Sequence, residues 1–414
     1  MRRALAATVV ACGLIGLGAT RCAVYTDSLL QSGPAGVDGG TGIGWWSGPG
    51  DQGCFSARYP TAASRPGPQK AAALPPIYVA IRSMRFGGQE LDGGSSQTAW
   101  KDIGYDLDSK CTSSDTCLGD PTNPSISCKP TGAQVPYDGN YCRDNTFGRL
   151  EVTASTIPEL GGKYGLNDDA FNCALCVGDY NFVIKMSDYN GTAEDDHVRI
   201  DLYPSPGLDT PLPWDCASGE WKNHPCITPD LALNVQDSVV PSGTAGPDLG
   251  DSTIFDDSAY VHEGYVVIAL PPDTQFAFPG KRPGVATAFP VVLDQGIVTG
   301  KITHAQDGTW SIEDGTISGR SPVADMVEGL RLIGLCDSDP NYTLINNFLT
   351  QNLDVLTDGT SDPNRSCDAL SLAVAFTAGQ QTAGKLVHVD PLVECQGPDS
   401  DGGTDGGSDA GDGG

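Results

Sequence analysis

Between residues 54 and 395 the chain carries twelve cysteines: Cys54, Cys111, Cys117, Cys128, Cys142, Cys173, Cys176, Cys216, Cys226, Cys336, Cys367 and Cys395. An even set of that size reads as a disulfide framework, and such a framework persists only in an oxidising compartment. Short separations suggest Cys111 with Cys117, Cys128 with Cys142, Cys216 with Cys226 and Cys336 with Cys367. Cys173-Ala174-Leu175-Cys176 has the spacing of redox and zinc motifs. No second pair at similar spacing completes a zinc site, however, so structural disulfides are expected there too.

The N-terminus agrees with export. Met1-Arg2-Arg3 is basic, Ala4 to Thr20 is apolar and rich in small residues, and polar sequence begins at Arg21, the pattern of a secretory signal over residues 1–21. The run is too short and too rich in Gly and Ala for a membrane span. Ala19-Thr20-Arg21-Cys22 makes Cys22 the expected lipidated residue, although Arg21 stands where a small residue is usual; Val9-Val10-Ala11-Cys12 would leave an apolar mature start. The mature chain should meet the membrane only through such an anchor. The formal charge is -28, which repels phosphate backbones and argues against nucleic acid as a partner. Metal cations and neutral sugars remain compatible with it.

Residues 22–76 contain Gly-, Pro- and Ser-rich stretches without hydrophobic periodicity and read as a flexible tether. Residues 397–414 form a Gly/Asp tail expected to be disordered. Strand alternation fills residues 77–320. Ile77, Val79 and Ile81 share a face, as do Phe182, Ile184 and Met186, and Val198, Ile200 and Leu202. The latter two runs flank Asn190-Gly191 and predict a hairpin. Val266 to Leu270, apolar on both faces, predicts a central strand. Helix signals come late: Ser321-Pro322 and Asp339-Pro340 each supply a cap and a first-turn proline. Leu370, Leu372, Val374 and Phe376 then return to period two. The expected fold is mainly β, a disulfide-stapled, jelly-roll-like β-sandwich, with a C-terminal helical pair and final strand (321–396) packed on the same domain.

The densest polar constellation is Asp106, Asp108, Asp138, Asn140 and Asp144. Hard cations want six to eight oxygens, and Asp/Asn loops braced by disulfides can gather them. Asp106-Leu107-Asp108 resembles the opening of a calcium loop but breaks off at Lys110-Cys111. Asp and Asn also form ordinary turns, which is the competing reading. Trp214 and Trp221 sit in the segment from Pro213 to Cys226, where indoles can stack on sugars or simply pack on a disulfide. G-x-S-x-G, H-E-x-x-H and phosphate-loop motifs are absent. The five histidines share no spacing.

Several segments together resemble a group of myxobacterial-type secreted lipoproteins: Cys22-Ala23-Val24-Tyr25, Ser28-Leu29-Leu30, Ala99-Trp100-Lys101-Asp102-Ile103-Gly104, Asp106-Leu107-Asp108, Asp138 to Gly148, and Cys367-Asp368-Ala369-Leu370-Ser371. The resemblance implies export and carries over no catalytic residue. The function expected from the sequence is a non-enzymatic surface lipoprotein that binds a polysaccharide or an envelope component, with calcium as the one cofactor suggested. The competing expectation is an extracellular glycan hydrolase that uses carboxylates.

Overall fold

The computed structural model describes residues 44–91, 93–112, 125–133, 135–155, 167–282, 285–332 and 335–390. The signal segment, Cys22, Cys117, Cys395 and the 397–414 tail lie outside them.

Nine strands build one antiparallel sheet: Ile77–Arg85 (β1), Asn181–Ser187 (β2), Asp195–Ser205 (β3), Phe255–His262 (β4), Tyr265–Ala269 (β5), Thr274–Arg282 (β6), Val285–His304 (β7), Trp310–Pro322 (β8) and Ala369–Gln380 (β9). Their order is β6-β7-β8-β9-β1-β2-β3-β4-β5, and β5 also pairs with β7. Eight strands therefore close a barrel-like ring, and β6 extends from it. The predicted hairpin across Asn190-Gly191 is present as β2 and β3, and the predicted central strand as β5, held between β4 and β7.

The hydrogen bonding does not give the two facing sheets of the expected sandwich. Alternation reports that one strand face is buried, whether a second sheet or the same sheet curled round covers it. Here β7 decides the matter. Its first half pairs with β6, from Val285 to Leu293, and its second half with β5, from Ile297 to Lys301. An irregularity against β8 between Asp294 and Ile297 marks where it passes from one partner to the other. The curvature also needs small residues. A Cβ on Gly315 of β8, at another break in register, would lie 2.6 Å from the Phe376 ring.

Inward-facing residues of every ring strand join one apolar core, among them Val79, Ile184, Ile200, Val261, Ile268, Val298, Ile317 and Leu372. Four helices add to it: Thr146–Ser155 (α1), Asp168–Val177 (α2), Val323–Leu332 (α3) and Pro340–Thr350 (α4). Leu150, Leu175, Leu330 and Leu349 belong to the same buried cluster. Asp339 caps α4 as its sequence predicts, accepting from the Asn341 amide. Ser321-Pro322, read as the start of α3, instead ends β8. Helices α1 and α2 were not anticipated.

Residues 44–76, expected as a tether, lie in large part on the outer wall. Trp45, Trp46 and Tyr59 pack on Tyr105, Tyr260, Val267 and Ile297. Tyr260 donates to the Thr61 carbonyl at 2.7 Å and the Leu74 amide to the Tyr189 carbonyl at 2.7 Å. Tryptophans scattered among Gly and Pro give no periodicity, so this layer was invisible as a pattern.

The disulfides are Cys111–Cys142, Cys128–Cys367, Cys173–Cys216 and Cys176–Cys226, and Cys54 and Cys336 are disulfide-bonded as well. All four pairings expected from short separation are replaced. Cys173 and Cys176 lie three apart on α2 and so share a face, from which each reaches a different point of the following loop. Cys128 joins a residue 239 positions away because a short parallel ladder runs Cys128–Lys129 beside Asp362–Ser366.

Candidate functional sites

Two loops, 103–112 and 125–145, fold against each other beside α1. Cys111–Cys142 ties them together, and Cys128–Cys367 ties the second to the start of β9. Close passage of backbone is built in: a Cβ on Gly139 would fall 2.4 Å from the Lys101 carbonyl oxygen, so only glycine fits there.

This bracing brings four of the five expected metal ligands together. Carboxylate oxygens of Asp106, Asp108 and Asp144 lie within 4.8 Å of one another. Asp108, Asp138 and Asp144 line a small cavity with Asp354, Thr112 and Ser127. Asp106, Asp138 and Asp144 are buried, and Asp108 and Asp354 are half-buried. Asn140 does not join them; its amide donates to Asp102 Oδ1 at 2.8 Å. Sequence reasoning missed Asp354. The residue follows α4, 210 positions after Asp144, and only the Cys128–Cys367 pairing could have brought it into view.

Fixed donors orient the cluster. Asp144 Oδ2 accepts from the amides of Leu107 at 2.6 Å and Asp108 at 3.3 Å, and Asp108 Oδ1 from the Lys110 amide at 2.8 Å. Asp138 Oδ2 accepts from the Thr112 amide at 2.5 Å. Asp354 is saturated by the Ser371 amide and hydroxyl and by Thr146 Oγ1. Asp106 Oδ2 accepts from the Ser56 hydroxyl of the outer layer, but its Oδ1 is buried with no partner among the described residues. Among the described residues none of the five forms an ion pair with Lys or Arg. Arg320, nearby, donates instead to Gln295 Oε1 and the Leu107 carbonyl. Burial, followed by mutual repulsion, pushes the Asp106 carboxyl up to about 7. Asp138 and Asp144 are pushed well above the ordinary carboxylate range for the same reasons.

The second candidate is the loop from Asp209 to Ile227, clamped to α2 at Cys216 and Cys226. Trp214 stacks on His224 with ring centroids 4.0 Å apart and planes 8° from parallel, and its Nε1 donates to the Pro225 carbonyl at 3.2 Å. Trp221 is half-buried beside Lys222, whose Nζ lies 5.7 Å from the indole centroid. Lys222 in turn pairs with Asp169 of α2 at 2.7 Å. The two indoles share the loop without a ring contact to each other among the described residues.

The fold and these features define a disulfide-stapled, barrel-like β protein of a kind that fits an oxidising, extracellular setting. No helix among the described residues is long and apolar enough to cross a membrane. No family model matches the chain, and neither a curated protein nor a solved structure does.

Proposed function

We propose that this is an exported surface protein, held to the envelope by a lipid on Cys22, that binds a polysaccharide without catalysis. The supporting observation is the Asp209–Ile227 loop. Two disulfides anchor it to one helix, so its half-buried indoles and their rim of Asp215, Glu220, Lys222 and Asn223 are held in place before any ligand arrives. Rigid aromatics stack on sugar faces at little cost in conformational entropy, and flanking polar groups take the hydroxyls. The resemblance of Cys22-Ala23-Val24-Tyr25 and later segments to myxobacterial-type secreted lipoproteins supports the same compartment. The carboxylate cluster lends the hydrolase alternative little: its acids are buried or half-buried between loops and lie close to one another, whereas a glycosidase pair must flank a bound sugar.

Glycan-array screening of the mature protein tests the reading. Retention of a polysaccharide by the wild type, weakened roughly tenfold or more by Trp221→Ala with no change in melting temperature, is the expected result. Absence of glycan binding, or binding indifferent to both Trp214→Ala and Trp221→Ala, would overturn it. Membrane association should be lost in Cys22→Ser.

A further inference from the structure

The carboxylate cluster has a different logic from the aromatic loop and stands independently of the polysaccharide reading. Three loops converge on it from distant parts of the chain, and two disulfides hold them there. A protein that only needed turns at these places would not gather Asp106, Asp108, Asp138 and Asp144 face to face. Like charges at such distances repel, and a buried carboxylate oxygen with no donor is costly. Asp106 Oδ1 is in that position: the residue is 2 % exposed, the atom has no hydrogen-bond partner, and its carboxylate meets those of Asp108 and Asp144.

We propose that Asp106, Asp108 and Asp144 coordinate one calcium ion, with Asp138 beside them on the cavity wall and Asp354 adding negative charge from the same wall. The donor set consists of hard oxygens alone, since the neighbouring cysteines are consumed in disulfides and among the described residues no histidine lines the cavity. That set disfavours zinc, which prefers nitrogen and sulfur. Backbone amides hold Asp108 and Asp144, and the Ser56 hydroxyl holds Asp106, an arrangement that suits the flexible coordination of calcium better than the strict octahedron of magnesium. Water entering past Asp108 and Asp354 would complete the shell. The ion would join the outer layer, through Ser56 and Asp106, to both loops and to the approach to β9.

The test uses the purified mature chain stripped with EGTA. Calcium should bind with a calorimetric stoichiometry near one per chain and raise the melting temperature by roughly 5 °C at a hundredfold excess over Kd. Asp106→Asn and Asp144→Asn should each weaken binding at least about tenfold, whereas Asp102→Asn on the neighbouring turn should leave it unchanged. The opposite result is equally sharp. If protons alone neutralise the cluster, calcium gives neither heat nor a melting shift, and Asp106→Asn and Asp144→Asn melt at or above the wild type because each removes a repelling charge. Should either variant fail to fold, the wild-type titration decides: no heat and no shift with millimolar calcium would overturn the site.

Discussion

Glu151 of α1 and Asp168, the first residue of α2, are both buried, and each turns one carboxylate oxygen with no partner toward the space beneath Gly88. Burial pushes the Asp168 carboxyl up as well, but the amides of Phe86 (2.7 Å from Oδ1), Gly88 and Gly87 oppose that rise, and the start of the helix favours its charge. The proton therefore belongs on Glu151, whose carboxyl is pushed up to about 8 by burial and then by Asp168. A folded-state value raised above the ordinary 4.5 means stability that is complete below about 4.5 and is lost as the pH climbs through about 8. Glu151→Gln fixes the neutral form. Thermal melts from pH 5 to 9.5 should show a shallower decline for the variant, with an advantage at the alkaline end on the order of 2 to 4 kcal/mol. Parallel curves for the two proteins would refute the assignment of the proton.

At the scale of elements, the ring depends on places where two strands come closer than side chains permit. Gly315→Ala would force a Cβ into the Phe376 ring, which is itself buried at 4 % exposure. A loss of roughly 1 to 3 kcal/mol is expected in denaturant titration, partly recovered by adding Phe376→Leu. An unchanged midpoint would mean that the strands can part there without cost. How much of this the sequence disclosed follows from the range of each signal. Alternation placed β1, β2, β3 and β9, because the spacing of Ile77, Val79 and Ile81 is a local property, and an apolar run placed β5. Sheet closure was not legible, since it rests on β7 changing partners near Gly296. Helix α2 was hidden behind Cys173 and Cys176, which read as a thiol motif rather than as one face of a helix. Asp106, Asp108, Asp138 and Asp144 were recognised as a group through their density, whereas Asp354 lay too far along the chain to be associated with them, and Asn140, counted with them, answers to Asp102.

Across the whole molecule, Cys128–Cys367 encloses the longest span of the described bridges, 239 residues. Closing a loop of that size removes about 5 kcal/mol of unfolded-state freedom on the chain-entropy account. Replacing both cysteines with serine should lower stability by several kcal/mol, roughly 2 to 5, more than the Cys173/Cys216 double variant does; equal losses would argue against a length-dependent effect. The position of β9 has a consequence for biosynthesis. That strand, near the end of the chain, lies between β8 and β1, and β1 begins at Ile77. A polypeptide emerging N-terminus first can form the β2–β3 hairpin early, but the ring must wait for residue 380. Until then β1 and β8 each present an unmatched edge, and such edges invite association with other chains. Ring closure is thus timed by the emergence of β9, so resistance to protease should appear only after a lag following synthesis, and nascent chains ending before Ala369 should never acquire it.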